Sequence, residues 1–142
     1  MKDRIQFTNL LKSFTLKNPK KTSLWIEHVI NSHGQFPGEI SYIFCDDAYL
    51  SILNKQYLHH TSLTDIITFN YNTGHLINGD IFISIQRVTE NAKKFSTSVD
   101  EELRRVMIHG ILHLLGFDDK TESSKKKMTS EENSALRQYE YI

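Results

Sequence analysis

The sequence predicts a single α+β domain over residues 1–142: a mixed, mostly parallel sheet of about four strands packed with about five helices. Three observations carry that prediction. Segments that alternate apolar and polar residues interleave with segments whose apolar residues recur at helical spacing. An Asn- and Gly-rich stretch separates two strand-like runs and predicts a hairpin, hence an antiparallel pair in the sheet. The 142 residues suffice for one hydrophobic core and leave no room for a second.

In chain order, residues 4–8 nearly alternate and read as an edge strand. Over residues 22–32, Leu24, Trp25, Val29 and Ile30 recur at helical spacing, with Thr22 as N-cap. HGQFPG then breaks the chain before a strand over residues 39–45. Asp46 or Asp47 caps the next helix, in which Leu50, Leu53, Asn54 and Tyr57 fall on related faces. Residues 65–71 form a predicted strand, NTGHLING a turn region, and residues 80–84 the returning strand of the hairpin. The path from the strand at 39–45 through a helix to the strand at 65–71 predicts a parallel, right-handed crossover. Residues 86–95 are helical. Ser98 and Glu101 form a capping box that opens a longer helix, from Val99 to about Leu115, which Gly116 ends as its C′ residue. Thr129 and Glu132 repeat the capping-box pattern and start a last helix that runs to about Tyr139.

Apolar residues at 39% and charged residues at 24% describe a folded domain and exclude a disordered tail. The opening MKDRIQFTNL lacks the pattern of a secretion signal, and no apolar run is long enough to span a membrane. The expected location is therefore the cytoplasm, with no membrane partner. Cys45 sits in the apolar run ISYIFC and reads as a reduced, buried thiol. Seventeen basic residues balance seventeen acidic ones, so global charge does not point to nucleic acid. The lysine runs at 12–21 and 120–127 read as solvated faces.

The segment that carries chemistry is HGILHLLGFDD, His109 to Asp119. Four residues apart on a helix, His109 and His113 point to the same side, one turn above the other. Two imidazoles at that separation can share one ion at roughly 2.0–2.1 Å. Gly116 frees the chain to turn, and Asp119 brings a carboxylate back to the same point. The site is thus placed on a helix and its following turn. Three protein ligands with an open fourth position describe a catalytic zinc site. The helix around the histidines is apolar, and one shared ion would satisfy two otherwise costly polar groups. The spacing resembles the metzincin-type metalloprotease pattern, with histidines at positions 1 and 5, glycine at 8 and the third ligand at 11. Those enzymes need a glutamate directly after the first histidine as base. Gly110 stands there, which excludes that peptidase chemistry.

Three blocks, LNKQYLHHTSLTDIITFNY (residues 53–71), GDIFIS (79–84) and ELRRVMIHGILHLLGFDD (102–119), with Met128 and Glu132 behind them, resemble the bacterial YbeY family in order and spacing. The resemblance covers residues 39–132. It implies a metal-dependent, single-strand-specific endoribonuclease that acts on rRNA precursors at the small-subunit 3′ end and in ribosome quality control. The implied partners are single-stranded RNA and the small ribosomal subunit or an assembly factor, with no DNA. It also implies zinc, held in the family usually by three histidines.

Two positions depart from that pattern. Asp119 stands where the third histidine is usual, which lowers the charge of the site by one unit and makes manganese or another hard divalent ion more competitive with Zn2+. Leu58 stands where the family commonly has an arginine, four residues after Asn54, so a bidentate phosphate clamp is lost. His59 and His60 are the expected catalytic substitutes, as phosphate contacts or proton shuttles. Arg105, one turn before His109 and on its face, is a third candidate, as a phosphate contact. Asp65 and Asp80 are candidates for carboxylates that orient a ligand imidazole. Thr64 and Thr68 offer hydrogen bonds near a cleft, and Met128 packs either beneath the metal or in the core. No RNA-recognition signature accompanies these residues. The competing expectation is a non-catalytic ribosome assembly factor whose metal is structural, and water and the 2′-hydroxyl both stand as nucleophile.

Overall fold

Four strands and five helices form among the described residues, 3–58 and 63–142, of the computed structural model. In order they are β1 (Ile5–Asn9), α1 (Pro19–Ser32), β2 (Phe36–Cys45), α2 (Asp47–Leu53), β3 (Ile66–Asn70), β4 (Leu76–Ser84), α3 (Ile85–Lys94), α4 (Val99–Leu114) and α5 (Glu122–Tyr139). A turn of wider π-type winding, Asn54–Leu58, continues α2. The strand order is β1-β2-β4-β3, parallel except for the antiparallel β3–β4 hairpin. The mixed, mostly parallel sheet in a single α+β domain is as the sequence predicts.

One face of the sheet carries the main core. Ile40, Tyr42 and Phe44 of β2 and Ile77, Ile81 and Ile83 of β4 alternate inward. They meet Trp25, Ile26, Val29 and Ile30 of α1 and Val106, Met107, Ile108 and Ile111 of α4 in one cluster. The buried polar tips are satisfied. The Tyr42 hydroxyl donates to the Met107 carbonyl at 2.9 Å, and Trp25 Nε1 donates to the Ala135 carbonyl at 2.7 Å. The first of these bonds ties α4 to the sheet two residues before His109. A smaller cluster of Cys45, Leu50 and Ile67 lies under α2 on the other face, where burial pushes the Cys45 thiol up to about 12. No helix among the described residues is long and apolar enough to cross a membrane.

Two expectations are corrected. Strand β3 is not the parallel neighbour of β2, because β4 takes that place and β3 lies beyond it at the edge, running the opposite way. The reason is length and apolarity. The nine-residue β4 and ten-residue β2 bury each other in the centre, whereas the five-residue β3 carries Thr68 and Asn70 and suits an edge. The last helix begins at Glu122, not near Thr129. Thr121 and Ser124 form its capping box reciprocally, so Lys125, Lys126 and Lys127 lie on its exposed early turns, where basic residues oppose the helix dipole and hide the start from a sequence reading.

Smaller shifts concern the caps. Helix α1 starts at Pro19, and Thr22 donates its hydroxyl back to the Asn18 carbonyl instead of capping. Asp46, not Asp47, caps α2 by accepting from the Tyr49 amide. At α4 only half of the expected box forms. Ser98 accepts from the Glu101 amide, while the Glu101 carboxylate accepts from the Thr97 hydroxyl.

Candidate metal centre

Helix α4 presents His109 and His113 on the edge of its buried stripe, so both rings are held by packing yet reach solvent. Their Nε2 atoms lie 3.0 Å apart. Helix α4 ends as the sequence predicts: Gly116 adopts φ +104°, its amide donates to the His113 carbonyl, and the Phe117 amide donates to the Leu112 carbonyl. This pair of bonds is the Schellman arrangement, and the left-handed residue between them reverses the chain. Asp119 thereby returns to the helix, with Oδ2 at 3.4 Å from His109 Nε2 and 3.7 Å from His113 Nε2. One donor atom from each of the three residues lies within 4.8 Å of the others.

The outer contacts fix which ring nitrogens are free. Glu132 of α5 bonds His109 Nδ1 at 2.6 Å, so Nδ1 carries the proton and Nε2 offers its lone pair to the shared point. The backbone of Phe117 hydrogen-bonds the His113 ring. Two imidazole lone pairs turned towards one another repel unless a proton or a cation lies between them. With a carboxylate completing the set, these donors suit a divalent metal ion. Burial opposes protonation of His109, but the Glu132 hydrogen bond and charge, with Asp119 and Asp65, outweigh it and raise its pKa. Burial, then the neighbouring His109, lowers that of His113.

Arg105 lies one turn before His109 and holds Glu132 in turn. Its Nη1 donates to Glu132 Oε1 at 2.8 Å and its Nη2 to Asn133 Oδ1 at 2.8 Å. Asp65 lies within electrostatic reach of His109 and Glu132, with its pKa raised chiefly by burial. Asp80 is on the other face of the sheet, where it bonds the Tyr71 hydroxyl. Asp118 accepts from the Lys120 amide and bonds Ser124, apart from the three-residue cluster. Thr64 donates to the Ile66 carbonyl. Met128 is buried within α5, in a helix and not in a turn. His59 and His60 lie outside the described residues.

Gly110 faces the sheet. A Cβ there would lie 3.0 Å from Ile66 Cδ1 and 3.1 Å from Ile81 Cγ2, so any side chain after the first histidine must displace the core packing against the sheet.

The residue that sequence reasoning misses is Glu132, which the local pattern places in a capping box and the structure places against His109. The signal was present: Met128, Glu132, Ala135 and Tyr139 recur at helical spacing, and all are buried on one face of α5. A carboxylate inside such a stripe needs a partner.

Residues 6–140 match the family described as Endoribonuclease YbeY. An Endoribonuclease YbeY of Flavobacterium johnsoniae is 46% identical over 131 residues, covering 92% of this chain and 94% of its own. One of Flavobacterium psychrophilum is 51% identical over 113 residues, covering 80% of this chain and 81% of its own. A solution structure from Thermotoga maritima, 24% identical, superposes with a TM-score of 0.64 over 95% of this chain and 88% of that one, and so shares the fold.

Proposed function

The chain belongs to the YbeY endoribonuclease family, hydrolases acting on RNA, and from that premise we propose that it is a metal-dependent, single-strand-specific endoribonuclease of rRNA maturation. Its proposed substrate is precursor rRNA near the small-subunit 3′ end, met in the cytoplasm on the small ribosomal subunit or with an assembly factor, and its role extends to ribosome quality control. The observation that carries the metal dependence is the convergence of His109 Nε2, His113 Nε2 and an Asp119 carboxylate oxygen.

These three residues would hold the ion, Zn2+ or, given the carboxylate, Mn2+. When bound, such an ion polarises a phosphoryl oxygen and acidifies water. The protein supplies the rest. Glu132 keeps the proton on His109 Nδ1, and Arg105 keeps Glu132 in place. Arg105 enters this reading as a positioning residue, since its guanidinium is engaged on α5. His59 and His60 follow Leu58, where the arginine is absent, and are proposed to contact phosphate or move a proton. Gly110 keeps a carboxylate base away from the ion and so disfavours peptide hydrolysis.

Metal analysis of the purified protein, paired with cleavage of a single-stranded RNA before and after chelation, tests the proposal. The expected result is about one ion per chain, cleavage lost on chelation and restored by zinc or manganese. Cleavage indifferent to chelation defeats it.

A further inference from the structure

A cleft of about 290 Å³ runs along the outer edge of β3 and ends at His113. Leu58, Ile66 and Leu114 give it apolar walls, and Thr68 and Asn70 line it beside them. The polar groups of the edge follow from strand register. The Ser84 amide donates to the Asp65 carbonyl, and the Tyr71 amide to the Asn78 carbonyl. Residues 65, 67, 69 and 71 therefore direct their backbone groups to β4, while 66, 68 and 70 direct theirs outward. Among the described residues, the Ile66 carbonyl is met by the Thr64 hydroxyl at 3.2 Å. The Thr68 amide and carbonyl meet no partner among the described residues and point away from β4, on the edge that the cleft follows.

We propose that this edge is a slot for one unpaired nucleobase of the RNA, held by the Thr68 N–H and C=O between the apolar walls next to His113. The inference rests on the endoribonuclease reading and adds how the strand is gripped. Every base carries a donor beside an acceptor on its pairing edge, exposed only when the RNA is single-stranded. A backbone pair meets all four without choosing among them. Such a slot selects unpaired RNA over duplex and tolerates sequence, in keeping with a chain that lacks a base-reading signature. The other guest for an open edge is a peptide added as a further strand. The edge is too short for that guest: it has three outward residues, one with its carbonyl already taken.

The test is an abasic scan of a short single-stranded RNA with the full chain and added zinc or manganese. For the wild type, removing one base beside the cleaved bond raises KM about 30-fold, the worth of roughly two net hydrogen bonds. Thr68→Pro deletes the outward amide, which an edge strand tolerates because that N–H is outside the ladder. This variant raises KM for the intact RNA about fivefold, the worth of the one lost hydrogen bond, and shrinks the penalty for the missing base by the same factor. Thr68→Val keeps the amide and keeps wild-type sensitivity. Cleavage that persists in the wild type without sensitivity at any abasic position overturns the slot and leaves the nuclease standing. No cleavage of any RNA overturns both. Hydrogen exchange adds a readout independent of turnover: bound RNA slows the Thr68 amide, whereas slowing by an extended peptide and not by RNA assigns the edge to strand addition and overturns the slot.

Discussion

The two halves of the candidate metal centre are built in different ways. The helix half is set in the core: His109 and His113 have side chains 22% and 31% exposed, and α4 is tied to the sheet through Tyr42 and to α5 through Glu132. The turn half is a single carboxylate, Asp119, 44% exposed and carried beyond a glycine on a short reversal. Preorganised donors contribute affinity because little freedom is lost when they bind. A donor on a turn adapts its reach, which suits ions of different size. On the proposed metal-dependent reading, the helix half would set whether a metal binds, and the turn half which one.

The largest expected effect breaks the helix half from beneath. Gly110→Glu would force a Cβ against Ile66 and Ile81 and drive an unpaired carboxylate between α4 and the sheet. Overpacking and buried charge together should cost about 3 kcal/mol or more, read as a shifted midpoint in urea unfolding. A variant as stable as the wild type would mean that α4 is not held by this contact and that the first half is no more rigid than the second.

Glu132→Gln tests the same half from above. Its amide keeps the shape of the side chain, loses the charge and weakens both the hold on His109 Nδ1 and the pair with Arg105. Metal affinity should fall about 10- to 100-fold, measured by titration against a competing chelator, with the fold retained. Affinity unchanged within error would show that the rings are oriented by packing alone.

How much of this was legible in the sequence follows the same division. The facing imidazoles could be read because helical spacing is fixed by backbone geometry, and the return of Asp119 to them because Gly116 announces where the helix must stop. The edge position of β3 could not, since pairing order is decided by competition among strands far apart in the chain. Glu132 was hidden by distance as well: its partner is 23 residues away, across two helices, and the local pattern around it also fits a cap. The lysine run at 125–127 masked the true start of α5. Local rules identified what α4 offers, and only tertiary packing revealed what supports it.

The smallest effects belong to the turn, where two neighbouring aspartates separate the proposed ligand from the scaffold. Asp118 accepts from the Lys120 amide at 3.2 Å and bonds Ser124, an interaction that lowers its pKa and shapes the entry to α5. Asp119 faces the imidazoles instead. Asp119→His should restore a third nitrogen and shift preference from manganese towards zinc by on the order of tenfold, because imidazole favours zinc over harder ions. Asp118→Ala should leave both affinities within about twofold, since a solvated turn contact contributes little and competes with water. Competitive titration of the two ions measures both variants. If Asp118→Ala shifted the preference as far as Asp119→His, the turn would act as one flexible unit and the ligand could pass between the two carboxylates. If neither variant changed it, the helix half alone would set the choice of ion.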